Sequence, residues 1–299
     1  MAARLGYVGL GNMGVPIARN LARYAASSGL PPLSFWNRSQ AKYDLVRQDA
    51  PDAFYATDVE DVVKRSDIVF TSLLNDQAAE DIYGKMFKAT EGRNVIFVDQ
   101  SRKLSAEAQT IGATYIASPV FGRPPAAEAA KLVIVLSGPA EVKDKIRHYL
   151  VPAVGDRVVD VGEDVKLASA LKSIGNSVIL GWIELMAESY TLGDAVGLDP
   201  SVFNDLLHKL IPAPPLLAYA DSVAKGHFPA GGFSVDDARN MLSLGADLGH
   251  PCPLPTIQRA HDNLERAQEL GGPNQDWASL SAAVREQAGF TPYREDKGQ

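Results

Sequence analysis

The chain has 299 residues, more than one average domain, and its 46% hydrophobic and 22% charged content is that of an ordinary globular protein rather than a disordered or fibrous one. A formal net charge of -7 argues against nucleic acid as a partner, because gripping phosphates needs an excess of Lys and Arg. The single cysteine, Cys252, leaves no internal disulfide and no cysteine metal site; with no leader before the first strand and no apolar run long enough to span a bilayer, a cytoplasmic protein without a membrane partner is expected.

The first element is a short apolar strand, "LGYVGL", followed by the turn "GLGNMG" and a helical pattern over Val15–Tyr24. Gly9, Gly11 and Gly14 fall where a dinucleotide site needs them. The first allows the tight turn, the second lets backbone approach a pyrophosphate and the third lets helix pack on strand, while the helix N-terminus offers free N–H groups. Leu10, Asn12 and Met13 complete the cofactor-binding turn. The second strand, "LSFWN", ends on Asn37, Arg38 and Ser39, where an NAD site would carry an acid for the ribose 2′-hydroxyl. A cation beside two hydrogen-bonding side chains suits a 2′-phosphate, so NADP(H) is the expected cofactor.

Further β-rich runs follow at "DIVFTSLL", "NVIFVDQ", "TYIASP", "KLVIVLSG" and "DRVVDV", with helical patterns between several of them, including Val59–Arg65 and Ala140–Tyr149. Alternation of this kind reads as βαβ units in a mostly parallel sheet. Leu74 and Asn75, in "SLLND", end a strand facing the crevice where cofactor contacts are expected. "RPPAAEAAKL" reads as a loop and short helix over the cofactor, stiffened by Pro124 and Pro125. After Gly162 no convincing β run remains. A long helical pattern spans 163–196 and stops at "DAVGLDP", where Gly197 reads as a C-cap and Pro200 as the next helix start. Helical patterns continue at Ser201–Leu210, Pro214–Lys225, Val235–Leu248, Leu254–Leu270 and Trp277–Gln287, broken by "IPAPP" and "FPAGG". The expected fold class is therefore an α/β N-terminal Rossmann domain, 1–162, followed by an all-α C-terminal domain, 163–299, with a long interdomain helix between them. His148, His208, His227, His250 and His261 are scattered without ligand spacing, and no metal site is expected.

"GLGNMGVPIARNL" followed by "NRS", then "SPVFGRPPAAEAAKLVIVLSG", then "LKSIGNSV" together resemble the β-hydroxyacid dehydrogenase family. These are the short relatives of 6-phosphogluconate dehydrogenase, including 3-hydroxyisobutyrate dehydrogenase and the glyoxylate and succinic semialdehyde reductases, with imine reductases as a sister group. The resemblance covers nearly the whole chain and implies a nicotinamide-dependent oxidoreductase. It implies Lys172 as proton donor to a carbonyl oxygen that receives hydride, and Asn176 as the group that holds substrate and lysine in place. Lys172 and Asn176 are four apart on the long helix and so share a face. Ser101 matches a serine that binds substrate carboxylate and Gly122 a loop glycine whose N–H does similar work; Ser101 also lies near the cofactor. The resemblance further implies a homodimer through the helical domain, and "LLHKLIPAPPLLAYA" with the apolar long helix carries more apolar face than that domain buries alone.

The chain departs from the family pattern at positions expected to line the substrate pocket. A serine-threonine pair is replaced by Ser101-Arg102, an "S-G-G" loop by Phe121-Gly122-Arg123, and a lysine by Asp236, followed by the expected Asp237. Retention of Lys172 favours reduction of a small aldehyde or oxo acid to the hydroxy compound, or the reverse oxidation. Asp236 keeps imine or iminium reduction open as an alternative, and a non-catalytic NADP(H)-binding protein is the second alternative.

Overall fold

The structure, a computed structural model, describes residues 2–73, 76–99, 113–228 and 254–294. The chain divides into two compact units, Met1–Lys172 and Ser173–Gln299. The division falls inside the long helix, Val165–Ala195, which the sequence places at 163–196.

In the first unit six strands form one sheet: β1 (Leu5–Val8), β2 (Ser34–Trp36), β3 (Phe54–Tyr55), β4 (Ile68–Thr71), β5 (Ile96–Asp99) and β6 (Thr114–Ala117). Their order is β3-β2-β1-β4-β5-β6, and every pair is parallel. The order reverses direction at β1 and β4, so their carboxyl ends open a crevice at the topological switch point. Both faces of the sheet are covered, which is why its strands read as unbroken apolar runs. Leu5 and Tyr7 of β1, Phe35 of β2, Phe70 of β4 and Ile116 of β6 pack into one core. Val8, Val69, Phe97, Tyr115 and Ala117 alternate into the other, with Val62, Val63 and Tyr83 from the helices.

The sequence reading anticipates one sheet; the structure has two. β7 (Val120–Phe121), β8 (Leu132–Leu136) and β9 (Gly155–Asp160) form a separate sheet, with β7 antiparallel and β9 parallel to β8. The two sheets meet at a bridge in which the Ala117 and Ser137 backbones exchange hydrogen bonds of 3.0 and 2.9 Å. β3 and β7 are two residues each, too short to leave an alternating pattern, and exist only because longer neighbours offer them an edge.

The second unit, among its described residues, is wholly helical: the remainder of the long helix, then Pro200–Leu210, Pro214–Lys225, Pro255–Gly271 and Leu280–Gln287, the last preceded by a 3₁₀ turn at Trp277–Ser279. The predicted helix over Val235–Leu248 lies outside the described residues. Gly197 adopts φ +77°, as the C-cap reading expects, and the Leu198 amide closes back on the Gly193 carbonyl at 2.9 Å. Leu180, Ile183, Tyr190, Leu217, Ala260, Leu264 and Trp277 form the core.

Two polar clusters are built into this unit. Asp194 accepts Arg294 on one oxygen at 2.8 Å and Arg285 on the other, anchoring the chain after the last helix to the end of the long one. Glu184 is buried; its Oε1 accepts from Asn263 at 2.6 Å, while among the described residues its Oε2 has no partner. Asn263 is itself held by Gln287 at 2.8 Å. Burial first, then the nearby Glu188, push the Glu184 carboxyl up to about 7, opposed by the Asn263 hydrogen bond and Arg259.

A raised carboxyl pKa makes stability fall as pH rises. Below the unfolded value of 4.5 both states hold the proton; between there and about 7 the unfolded chain loses it first, and above 7 the full cost is in place. Glu184→Gln should therefore stabilise the protein by about 2 kcal/mol at pH 8 and hardly at all at pH 4. Thermal unfolding midpoints of both proteins at the two pH values check this.

Candidate active site

The backbone of the first unit is tightly crowded at the glycine turn. Gly9 adopts φ +98°, and a Cβ there would stand 2.2 Å from the Ser72 carbonyl oxygen beyond β4. A Cβ on Gly14 would stand 2.0 Å from the carbonyl oxygen of Gly9. Both glycines are thus required by the protein's own packing. Gly11 is different: a Cβ there would meet nothing within 4 Å. No contact inside the protein explains a glycine at that position, whereas the close approach of a pyrophosphate does. Helix Gly14–Ser27 starts here without a side-chain cap and without an acid in its first turn, so the helix brings no carboxylate of its own to its N-terminal dipole end. The residues present therefore fit a dinucleotide.

Asn37, at the end of β2, serves the turn before any ligand. Its Oδ1 accepts the Leu10 amide at 2.8 Å and its Nδ2 donates to the Ser39 carbonyl at 2.9 Å. The Asn37 amide in turn donates to the Tyr43 hydroxyl at 3.2 Å, which donates to the Ala56 carbonyl at 2.6 Å. Sequence reading lists Asn37 as a cofactor contact; the structure makes it the clamp that gives the glycine turn and the 37–39 loop a common shape. Arg38 and Ser39 are exposed beside it, and among the described residues Arg38 has no carboxylate partner. Asn12 is exposed at the tip of the turn, Leu10 is buried beneath it, and Met13 is the residue before the helix.

The second cluster gathers around β7. Lys172 donates from Nζ to the Val120 carbonyl at 2.7 Å, and the same nitrogen stands 4.2 Å from the centroid of the Phe121 ring. Gly122 follows with φ +142°; a Cβ there would meet the Leu132 side chain at 2.5 Å and Ala126 at 3.2 Å. Arg123 then precedes the short helix Pro124–Glu128, the one expected from "RPPAAE". Asn176, one turn beyond Lys172 on the same helix, is buried, and among the described residues its Nδ2 has no partner. Five expected site residues, Leu74, Asn75, Ser101, Arg102 and Asp236, lie outside the described residues, as does Asp237.

Two residues that the sequence reading passes over hold these parts in register. Asn20 is buried on helix Gly14–Ser27 and donates to the Ala127 carbonyl at 2.8 Å, tying the cofactor helix to the loop that carries Phe121. A buried asparagine inside the amphipathic pattern "PIARNLARY" is the only trace of it in the sequence. Asp99 ends β5 fully buried, accepting from Thr71 at 2.8 Å and from the Tyr115 hydroxyl at 2.5 Å, while Tyr83 and Thr71 pair at 2.8 Å. Burial, then Asp99 and Tyr115, push the Tyr83 hydroxyl well above its ordinary value, so it stays a neutral hydrogen-bonding group. The network joins the carboxyl ends of β4 and β5 to Tyr115 in the first half of β6, immediately before the "QS" of the expected substrate segment.

With this geometry in place, comparison with known proteins defines the class. Residues 4–162 match the model of the NAD-binding domain of 6-phosphogluconate dehydrogenase. The chain is 30% identical over 295 residues to the oxidoreductase YfjR of Bacillus subtilis, covering 94% of this chain and 100% of that one. It is 29% identical over 289 residues to the NADH-dependent oxidoreductase ucdB of Aspergillus ustus, covering 93% and 98%. The structure of Psf3 in complex with NADP+ and 2-OPP shares the fold, with a TM-score of 0.80 at 24% identity over 94% of this chain and 99% of that one. The fold and site are those of a nicotinamide-dependent oxidoreductase. The chain belongs to the family built on the 6-phosphogluconate dehydrogenase NAD-binding domain, in its β-hydroxyacid dehydrogenase branch.

Gly14 serves the fold and Gly11 the ligand. Gly14→Ala should destabilise the protein by roughly 2 kcal/mol or more, because backbone must move to admit the methyl. Gly11→Ala should leave the unfolding midpoint within about 2 °C of the wild type yet weaken nicotinamide dinucleotide binding at least roughly tenfold. Thermal unfolding beside calorimetric titration distinguishes the two.

Proposed function

We propose that this protein is an NADPH-dependent reductase that converts a small aldehyde or oxo acid to the hydroxy compound. The observation that carries the reading is Lys172, whose ammonium is held between the Val120 carbonyl and the Phe121 ring in a chain with an intact dinucleotide turn. When bound, the nicotinamide supplies the hydride. Lys172 supplies the proton: as the substrate carbonyl carbon gains hydride, its oxygen takes a proton from Nζ, leaving an alcohol and a neutral amine that recovers its proton from water. Asn176 holds the substrate oxygen and the lysine in one geometry; its unpartnered buried amide supports a role toward a bound molecule.

Preference for NADPH rests on the end of β2. No acid stands there to meet a ribose hydroxyl, and Arg38 is exposed and without a carboxylate partner among the described residues, ready for a 2′-phosphate. The named relatives differ on this point, ucdB being NADH-dependent and Psf3 holding NADP+. Arg38→Ala should lower kcat/KM for NADPH about ten- to hundredfold and leave that for NADH within about threefold. Absorbance assays with both cofactors on glyoxylate, succinic semialdehyde, neutral aldehydes and cyclic imines test the whole reading. Turnover of a carbonyl compound should fall by about a hundredfold or more in Lys172→Ala; turnover of imines alone would overturn the assignment in favour of imine reduction, and tight NADPH binding without turnover would favour a non-catalytic protein.

The same proposal includes a homodimer through the helical unit. Ile174, Val178, Leu185 and Leu192 recur at helical spacing along one face of the long helix, with Val196 just past its end, and Val178 and Leu192 are 64% and 67% exposed. Val202, Leu206 and Leu210 add a second exposed apolar row on the next helix. A second copy of the chain, meeting this face with the same face, covers both rows. Leu185→Glu should convert a dimer to a monomer in sedimentation analysis, and an unchanged mass would place the interface elsewhere.

A further inference from the structure

We infer that Phe121 is a positioning residue for Lys172, its ring face holding the ammonium and favouring the protonated form of the lysine; the inference rests on the reading of Lys172 as the proton donor. The backbone that carries the ring is fixed from both sides. Phe121 pairs with Val133 of β8, so its backbone is locked in the second sheet. Beyond it, Gly122 turns with φ +142° against the Leu132 side chain, and the short helix that follows is tied through the Ala127 carbonyl to Asn20. The point from which the ring projects therefore cannot shift without moving the sheet or the loop.

The chemistry at this face is selective for charge. A ring face attracts a cation and does little for a neutral amine, and the Val120 carbonyl, 2.7 Å away, only accepts. The carbonyl and the ring face therefore both favour the form that has a proton to give. The chain carries Phe here where its resemblance leads one to expect a serine, a residue that hydrogen-bonds a neutral amine as readily as an ammonium. Loss of the ring face should make Lys172 surrender its proton at lower pH, whatever the substrate.

The test reads the lysine itself. In cofactor-free protein carrying ¹³Cε-lysine, the Lys172 signal is assigned by its loss in Lys172→Arg and followed across pH by NMR. Phe121→Leu, which keeps an apolar side chain but removes the ring, should lower its titration midpoint by about half a unit to one unit. Phe121→Trp and Phe121→Tyr should titrate within about 0.2 units of the wild type, since both retain a ring face. In turnover, the high-pH limb of kcat should move down by the same amount in Phe121→Leu, with KM changed less than about twofold. A midpoint unchanged in Phe121→Leu, or lowered as far in Phe121→Tyr, would overturn the inference. Full turnover in Lys172→Ala would overturn the proposed function instead, while the titration would still decide the role of the ring.

Discussion

Three backbone segments meet at one point in the first unit, and the rest of its site is arranged around that meeting. The carbonyl of Ser72 closes on Gly9, and the carbonyl of Gly9 closes on Gly14, with no room for a side-chain carbon at either glycine. This brings the end of β1, the start of the helix behind it and the end of β4 closer together than any other residue type allows. The crevice at the switch point is a result of that approach, and Gly11 faces its open side. Because the turn is shaped by contacts inside the protein, it needs no ligand to form, and the binding energy of a dinucleotide is not consumed in shaping it.

Hydrogen bonds from side chains carry this arrangement outward. Asn37 links the turn to the loop after β2, Asn20 links the following helix to the segment behind Phe121, and Asp99, at the end of β5, ties together Thr71 of β4 and Tyr115 of β6. Each is a buried or half-buried polar group bonded to main chain or to a hydroxyl of another element, so each gains little net stability but becomes costly to misplace. They act less as glue than as gauges that fix distances between elements. Lys172 lies at the end of this chain of gauges, touching both the Val120 carbonyl and the Phe121 ring of β7.

The helical unit shows the opposite use of charge. Asp194 takes two guanidinium groups and binds the chain after the last helix, where removal of the carboxylate would leave two positive charges facing each other. Glu184, by contrast, is buried with one oxygen satisfied and one not, and contributes no stabilising pair. Its carboxyl is a local conflict of the kind natural proteins tolerate, relieved in part by the Asn263 hydrogen bond and by Arg259. The apolar rows on the outside of this unit, Leu185 and Leu192 among them, flank the exposed Glu188 on the long helix.

What the sequence determined by itself was whatever depends on neighbours along the chain. The glycine spacing, the apolar strands, the helix ends at Gly197 and Pro200, and the four-residue step from Lys172 to Asn176 are all local signals, and each leads directly to an element or a motif. The tertiary structure decided what depends on distant partners. The splitting of the strands into two sheets follows from edges that β3 and β7 borrow from longer strands. The separation of Gly9 and Gly14, which serve packing, from Gly11, which does not, requires knowing what stands 2 Å from an absent methyl. The tasks of Asn20, Asn37 and Asp99 are set by partners 107, 27 and 28 or 16 residues away. Periodicity reports which face of an element is buried; it carries no information on which atom of another element a buried polar group will meet, and that meeting is what makes a site.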